Sequence, residues 1–249
     1  MAKVVRAIVL LLLLMTAALF GADNPYALPL STIIIDAGHG GHDPGASRSF
    51  EGSLIVEREL TLDIALRLER LLNDAHPLLH VVMTRTDDRY LTLEERGRIA
   101  YQTVLPPKTS ALLLSIHINS AVHSAAQGFE VFTKLKDKEV PLLDATTPKE
   151  HIALFSKHNK KELNALLFEE TRRVAAAVSG ALVKGLPMQV NRGIKEQDLW
   201  VLNAARMPAV LVEVGFLSND EELALLLDPQ YRETIALALF HAIEELLPT

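Results

Sequence analysis

Apolar and polar positions follow two different periods along this chain. Near-continuous apolar runs rich in β-branched residues recur at "STIIID" (31–36), "HVVMTR" (80–85), "ALLLSIH" (111–117), "GFEVFT" (128–133), "LWVL" (199–202) and "AVLVEVG" (209–215). Runs of this length and composition predict strands buried on both faces. Between them, apolar residues repeat at helical spacing over 56–73, 91–103, 161–185, 219–227 and 229–247, and Asp228-Pro229 separates the last two. Strands and helices alternate, with no internal repeat and no low-complexity linker. The pattern predicts an α/β fold, a three-layer αβα sandwich around a mostly parallel six-stranded sheet, formed by one domain over residues 23–249.

The first 22 residues break that pattern. Lys3 and Arg6 precede an uncharged stretch from Ala7 to Phe20, followed by the small residues Gly21 and Ala22. This is the layout of a secretory signal, and its apolar core is shorter than the ~20 residues of a membrane span. An uncleaved anchor is the alternative, because Phe20 fits poorly before a cut after Ala22. Either way the folded part is expected outside the cytoplasm, periplasmic or secreted to the cell envelope, with no permanent span once the signal is removed.

Charge and composition then narrow the chemistry. The chain carries a formal charge of −6, and loss of Lys3 and Arg6 takes it to −8, which argues against nucleic acid as a partner. There is no cysteine, so any bound metal must be held by histidine and carboxylate.

Ligands of open α/β sheets sit beyond the carboxyl ends of the strands. His39 follows the first predicted strand, His117 ends the third, and Glu213 lies near the end of the last. A histidine at a strand end is by default a hydrogen-bonded structural residue. Glu213 is harder to place that way, because a carboxylate inside "AVLVEVGF" costs several kcal/mol unless something positive faces it. Helical phase adds a fourth residue. In "VERELTLDIALRLERLL", Leu60, Ile64, Leu68 and Leu71 form the core stripe, Glu57 falls at its centre, and Glu59 falls on the opposite side. The glycines around His39 also suit a phosphate loop, but the lysine and hydroxyl of such a loop are missing.

These stretches resemble the zinc-dependent N-acetylmuramoyl-L-alanine amidases that cut bacterial peptidoglycan. The resemblance rests on "IIIDAGHGGHDPGA", "ERELTLDIALRL", "TRTDD", "LLSIHINSA", "QGFEVF", "NRGIK" and "MPAVLVEVGFLSN", in family order over nearly the whole chain after the signal. It implies that His39, Glu57 and His117 hold Zn2+ and that Glu213 is the catalytic acid–base. The implied reaction is hydrolysis of the amide between N-acetylmuramic acid and L-alanine, with peptidoglycan as substrate, in wall remodelling or daughter-cell separation. Asp36 is expected to tie down the turn, and Gly38, Gly40 and Gly41 to keep space around His39 open. His42 is expected at the rim, and Asn119, Arg85 and Arg192 to orient loops or neighbouring groups. Residues 138–163 correspond to the place where some cell-division amidases carry a helix that blocks the zinc until an activator protein displaces it. A gate there and an ordinary surface loop both remain open. A zinc peptidase acting on the stem peptide is the second chemistry, and a non-catalytic wall-binding regulator the third.

Overall fold

The computed structural model describes residues 24–145 and 147–248. The candidate signal lies outside the described residues. Among the described residues, no helix is long and apolar enough to cross a membrane.

Six strands form one sheet in the order β4-β1-β5-β8-β6-β7. They are β1 (Leu30–Ala37), β4 (His80–Met83), β5 (Ser110–Asn119), β6 (Phe129–Thr133), β7 (Asn191–Glu196) and β8 (Ala209–Phe216). β4, β1, β5 and β8 are mutually parallel, while β6 runs antiparallel to β8 and parallel to β7. A short hairpin of β2 (Ser47–Phe50) and β3 (Ser53–Val56) stands apart and leads into the first helix. The predicted α/β sandwich with a mostly parallel six-stranded sheet is therefore what this chain forms.

The two faces of the sheet are covered unequally. Ile33, Ile35, Leu112, Leu114, Val210 and Val212 face one side and pack on helices α1 (Glu57–Ala75), α4 (Lys160–Gly185) and α7 (Pro229–Leu246). The apolar spacing of α1 puts Leu60, Ile64, Leu68 and Leu72 in that core. Asn159 and Glu162 close a capping box at the start of α4, and Pro229 begins α7 behind the cap Asp228. On the other side, Ile34, Leu113 and Leu211 pack on α2 (Leu93–Gln102) and the five-residue α5 (Trp200–Ala204). α2 also starts with a capping box, Thr92 with Glu95.

Two sequence expectations change. Residues 199–202 are not a strand: only Leu199 is extended, and Trp200–Ala204 is helical, burying Val201, Leu202 and Ala205 at helical rather than alternate spacing. The strand at that edge is instead β7, "NRGIKE", whose polar, partly exposed residues give no apolar run to recognise. The second change concerns residues 138–163. Because β6 runs antiparallel to β8, it carries the chain away from the carboxyl ends of the parallel strands. The segment that follows, with α3 (Lys149–Phe155), packs at the opposite pole. Val140, Leu142 and Phe155 join Tyr26, Leu163 and Leu167 there, Asp144 pairs with Arg206, and Lys138 pairs with Asp198. In this arrangement the segment does not lie over His39, Glu57 or His117, and the expected gate is not in place. α6 (Asp220–Leu227) completes the fold between β8 and α7.

Candidate metal centre

Asp36 is the anchor beneath the centre. The apolar strand β1 fixes its backbone, and its buried carboxylate accepts from Thr84 Oγ1 (2.7 Å), Ser115 Oγ (2.7 Å) and Arg96 Nη1 (2.6 Å). Burial alone would raise its pKa, but Arg96, Ser115 and Thr84 outweigh that and hold it below the ordinary carboxylate range. Arg96 goes on to donate to the carbonyls of Ala37 (2.8 Å) and His39 (2.5 Å). Arg85, fully buried, donates to the carbonyls of Ala37, Gly38 and Arg58. Two guanidinium groups thus tie down the backbone after β1.

That bracing supports a strained residue. His39 has φ of 61°, a left-handed conformation that costs on the order of 1–3 kcal/mol for a non-glycine residue and that clusters at functional sites. Its Nδ1 meets Asp43 at 2.9 Å, which leaves Nε2 facing Glu57 at 3.1 Å. Glu57 is the first residue of α1 and only 4% exposed. Its carboxylate accepts from the amides of Ala46 (2.8 Å) and Ile118 (3.0 Å) and meets His117 Nδ1 at 3.0 Å. Burial opposes its ionisation, yet the imidazoles of His117 and His39 hold its carboxyl well below the usual range. The two imidazole rings are edge-on, 4.9 Å apart between centroids.

One ligand atom from each of His39, Glu57 and His117 lies within 4.8 Å of the others, the one such group among the described residues. His39 Nε2 lies 3.1 Å from one Glu57 oxygen and His117 Nδ1 3.0 Å from the other, so the three side chains crowd one small volume. The donor set, two imidazole nitrogens and one carboxylate without sulfur, is that of a catalytic zinc site with an open position. Asp43, 2.9 Å behind His39 Nδ1, stands where a carboxylate would fix the tautomer of a metal-ligating imidazole.

Space at the centre depends on two glycines. A Cβ on Gly38 would sit 2.5 Å from the His117 ring, and one on Gly45, where φ is +66°, would sit 2.5 Å from both Glu57 and His39. Gly40 and Gly41 do something else. They back onto the main chain of Arg89 and Tyr90 and make room for that loop, not for a metal.

Glu213 lies on β8 between His117 of β5 and Glu130 of β6, its register partners. Its Oε2 is buried without a hydrogen-bond partner, and burial, with Glu57 and Glu130 adding to it and His117 opposing, pushes its pKa up to about 7. Beyond it, Glu130 accepts from Asn119 Nδ2 (2.6 Å) and Arg192 Nε (3.3 Å) and pairs with Lys195. All four residues picked out by sequence are therefore together. Asn119 and Arg192 orient Glu130, Arg85 braces the His39 turn, and His42 is exposed against Tyr90 with ring centroids 3.9 Å apart. Sequence reasoning missed Asp43, Gly45, Arg96 and Glu130. Asp43 sits four residues after His39 in the turn "HDPG", a spacing that offered the only direct signal.

Fold and site define an α/β protein whose centre has the make-up of a metallohydrolase. A family model described as N-acetylmuramoyl-L-alanine amidase matches residues 33–245, and the chain belongs to that family. Among curated relatives, it is 31% identical over 215 residues to YqiI of Bacillus subtilis (strain 168), covering 86% of this chain and 83% of that protein. It is also 31% identical over 224 residues to the probable cell wall amidase LytH of Staphylococcus epidermidis, covering 90% of this chain but only 60% of LytH. A solved neighbour is the CwlD amidase of Clostridioides difficile in complex with the GerS lipoprotein, at 27% identity and a TM-score of 0.66, covering 87% of this chain and 98% of that one.

Proposed function

We propose that this chain is a zinc-dependent amidase that hydrolyses the bond between N-acetylmuramic acid and L-alanine in peptidoglycan, outside the cytoplasm. The observation that carries the reading is the convergence of His39, Glu57 and His117 from three separate elements, with Glu213 unpartnered beside them. His39 Nε2, a Glu57 oxygen and His117 Nδ1 would hold the ion. When bound, zinc supplies polarisation of the scissile carbonyl and lowers the pKa of a water toward ~7.

The chain's own groups do the rest. Glu213, raised to about 7 and without a hydrogen-bond partner, is poised to take a proton from the attacking water near neutral pH. As the carbon–nitrogen bond breaks, the same carboxyl delivers that proton to the departing amine of L-alanine. Asp43 holds the His39 ring so that one nitrogen stays free for the metal. Asp36, Arg85 and Arg96 keep the loop in its strained form, which preorganises the centre before substrate arrives.

Residues 1–22 fit a role as the export signal in this reading. CwlD, solved in complex with the GerS lipoprotein, offers the precedent for a protein partner, and an activator of this chain would act without displacing residues 138–163. Digestion of purified wall material by zinc-loaded protein tests the function. The expected product is a stem peptide with a new amino-terminal L-alanine. Cleavage inside the stem would favour the zinc-peptidase reading, and absence of any cleavage the non-catalytic one.

A further inference from the structure

Strand order lays the chemistry of this face out in a line. At the β4 end, Tyr90 of the loop after the strand, 42% exposed, and Leu93, the first residue of α2, 50% exposed, line one groove with His39, His117 and Val201. The metal ligands stand over β1 and β5, and Glu213 over β8. At the far end, Lys195 of β7 reaches the Glu130 carboxylate of β6. Side chains of His117, Glu213, Glu130 and Lys195 share the sheet face that α2 and α5 leave partly uncovered.

The ends of this line differ in charge. Glu130 is 4% exposed and the Lys195 side chain 41% exposed, so an approaching ligand meets the lysine before the carboxylate it pairs with. Arg192 contacts the same carboxylate and also faces Glu222, so Lys195 is the cation more open to a ligand. The β4 end instead carries Asp43, Asp87 and Asp88, the last two paired with Arg89 and Arg58. The three carboxylates at that end outnumber the two guanidinium groups they face, of which Arg89 is 54% exposed.

The substrate proposed above is asymmetric in the same sense. One side of its scissile amide is an uncharged N-acetylated sugar chain, whose CH faces pack on aromatic and aliphatic surface. The other is a peptide with an acidic residue after L-alanine. Neighbouring strands are ~4.8 Å apart, so Glu130 lies about 10 Å across the sheet from the strand of His117. Two extended residues span about 7 Å, and a side chain covers the remainder.

Resting on the amidase reading, we propose that the cleft binds its substrate in one direction: sugar over the Tyr90–Leu93 wall, acidic stem toward Lys195. Lys195 is then the residue that selects a free carboxylate at the second stem position. Two soluble substrates test this with the zinc-loaded chain, N-acetylmuramoyl-L-alanyl-D-isoglutamate and its α-carboxamide counterpart, each with the γ-carboxyl capped as the methylamide so that only the first has a free carboxylate. Wild type is expected to favour the free acid about tenfold in kcat/KM. Lys195→Gln should bring that ratio close to one, chiefly through KM for the acid, and Lys195→Arg should restore it. Tyr90→Ala should weaken the preference for long over short glycan strands by about fivefold and leave the acid-to-amide ratio unchanged. Equal rates on both substrates, a ratio that survives Lys195→Gln, or the two variants exchanging effects would overturn the orientation alone. Wild type that hydrolyses neither substrate overturns the amidase reading together with it.

Discussion

One face of the sheet is packed against helices of 19, 26 and 18 residues, the other against helices of 10 and 5. The thick face is almost wholly aliphatic, with Ile33, Leu114 and Val212 meeting Ile64, Val178 and Leu239. The thin face buries its lower half under α2 and α5 and carries His117, Glu213 and Glu130 on its upper half. Aliphatic burial stabilises a fold at roughly 25 cal/mol per Å2 but does no chemistry. Polar groups held under strain do the chemistry at a cost in stability. Each face of this sheet specialises in one of the two.

Substitutions on the two faces should therefore separate activity from stability. Glu213→Gln, on the thin face, is expected to lower kcat by about 10^2–10^4 while zinc content and thermal midpoint stay at wild-type levels. Loss of the metal in that variant would move Glu213 into the ligand set. Asp36→Asn strikes the one place where the faces' roles meet. It strands Arg96 next to an uncharged amide and should cost about 3–5 kcal/mol in urea unfolding. Leu68→Ala, on the thick face, should cost about 2–5 kcal/mol with kcat per folded molecule unchanged. A fall in kcat for that variant would show that the faces are coupled.

Smaller effects follow. The folded pKa of Asp36 is depressed, so its contribution is complete above the unfolded value of about 4 and is lost as pH falls through the folded one. Urea midpoints from pH 6 to pH 2 should decline for wild type more steeply than for Asp36→Asn. Thr92→Ala, which opens the capping box of α2, should cost about 1 kcal/mol and move the Tyr90–Leu93 wall enough to raise KM.

The thick face was the more legible in sequence, because period 2 and period 3.6 record burial directly. Its strands and its helices α1, α4 and α7 were predicted within a few residues of their bounds. On the thin face α2 was predicted as closely, whereas α5 is a single turn whose "LWVL" suits either period, and the edge strand β7 carries a bulge and polar residues and leaves no apolar run. At the centre, His39, His117 and Glu213 were readable from their positions at strand ends, and Glu57 from its inward helical phase. Asp43 left only its four-residue spacing from His39 as a signal, and Gly45, Arg96 and Glu130 left none, since each acts through a neighbour distant in sequence or through a backbone angle that composition does not record. For residues 138–163 sequence left a gate and a surface loop both open, for a topological reason. The direction of β6 decides to which pole the next segment goes, and apolar patterning does not encode strand direction.

Anomalous diffraction at the zinc edge from zinc-loaded crystals tests the central claim most directly. One strong peak is expected on the thin face, within about 2.0–2.2 Å of His39 Nε2, a Glu57 oxygen and His117 Nδ1. A peak at other residues, or a hydrolytically active protein with no peak at these three, would contradict it.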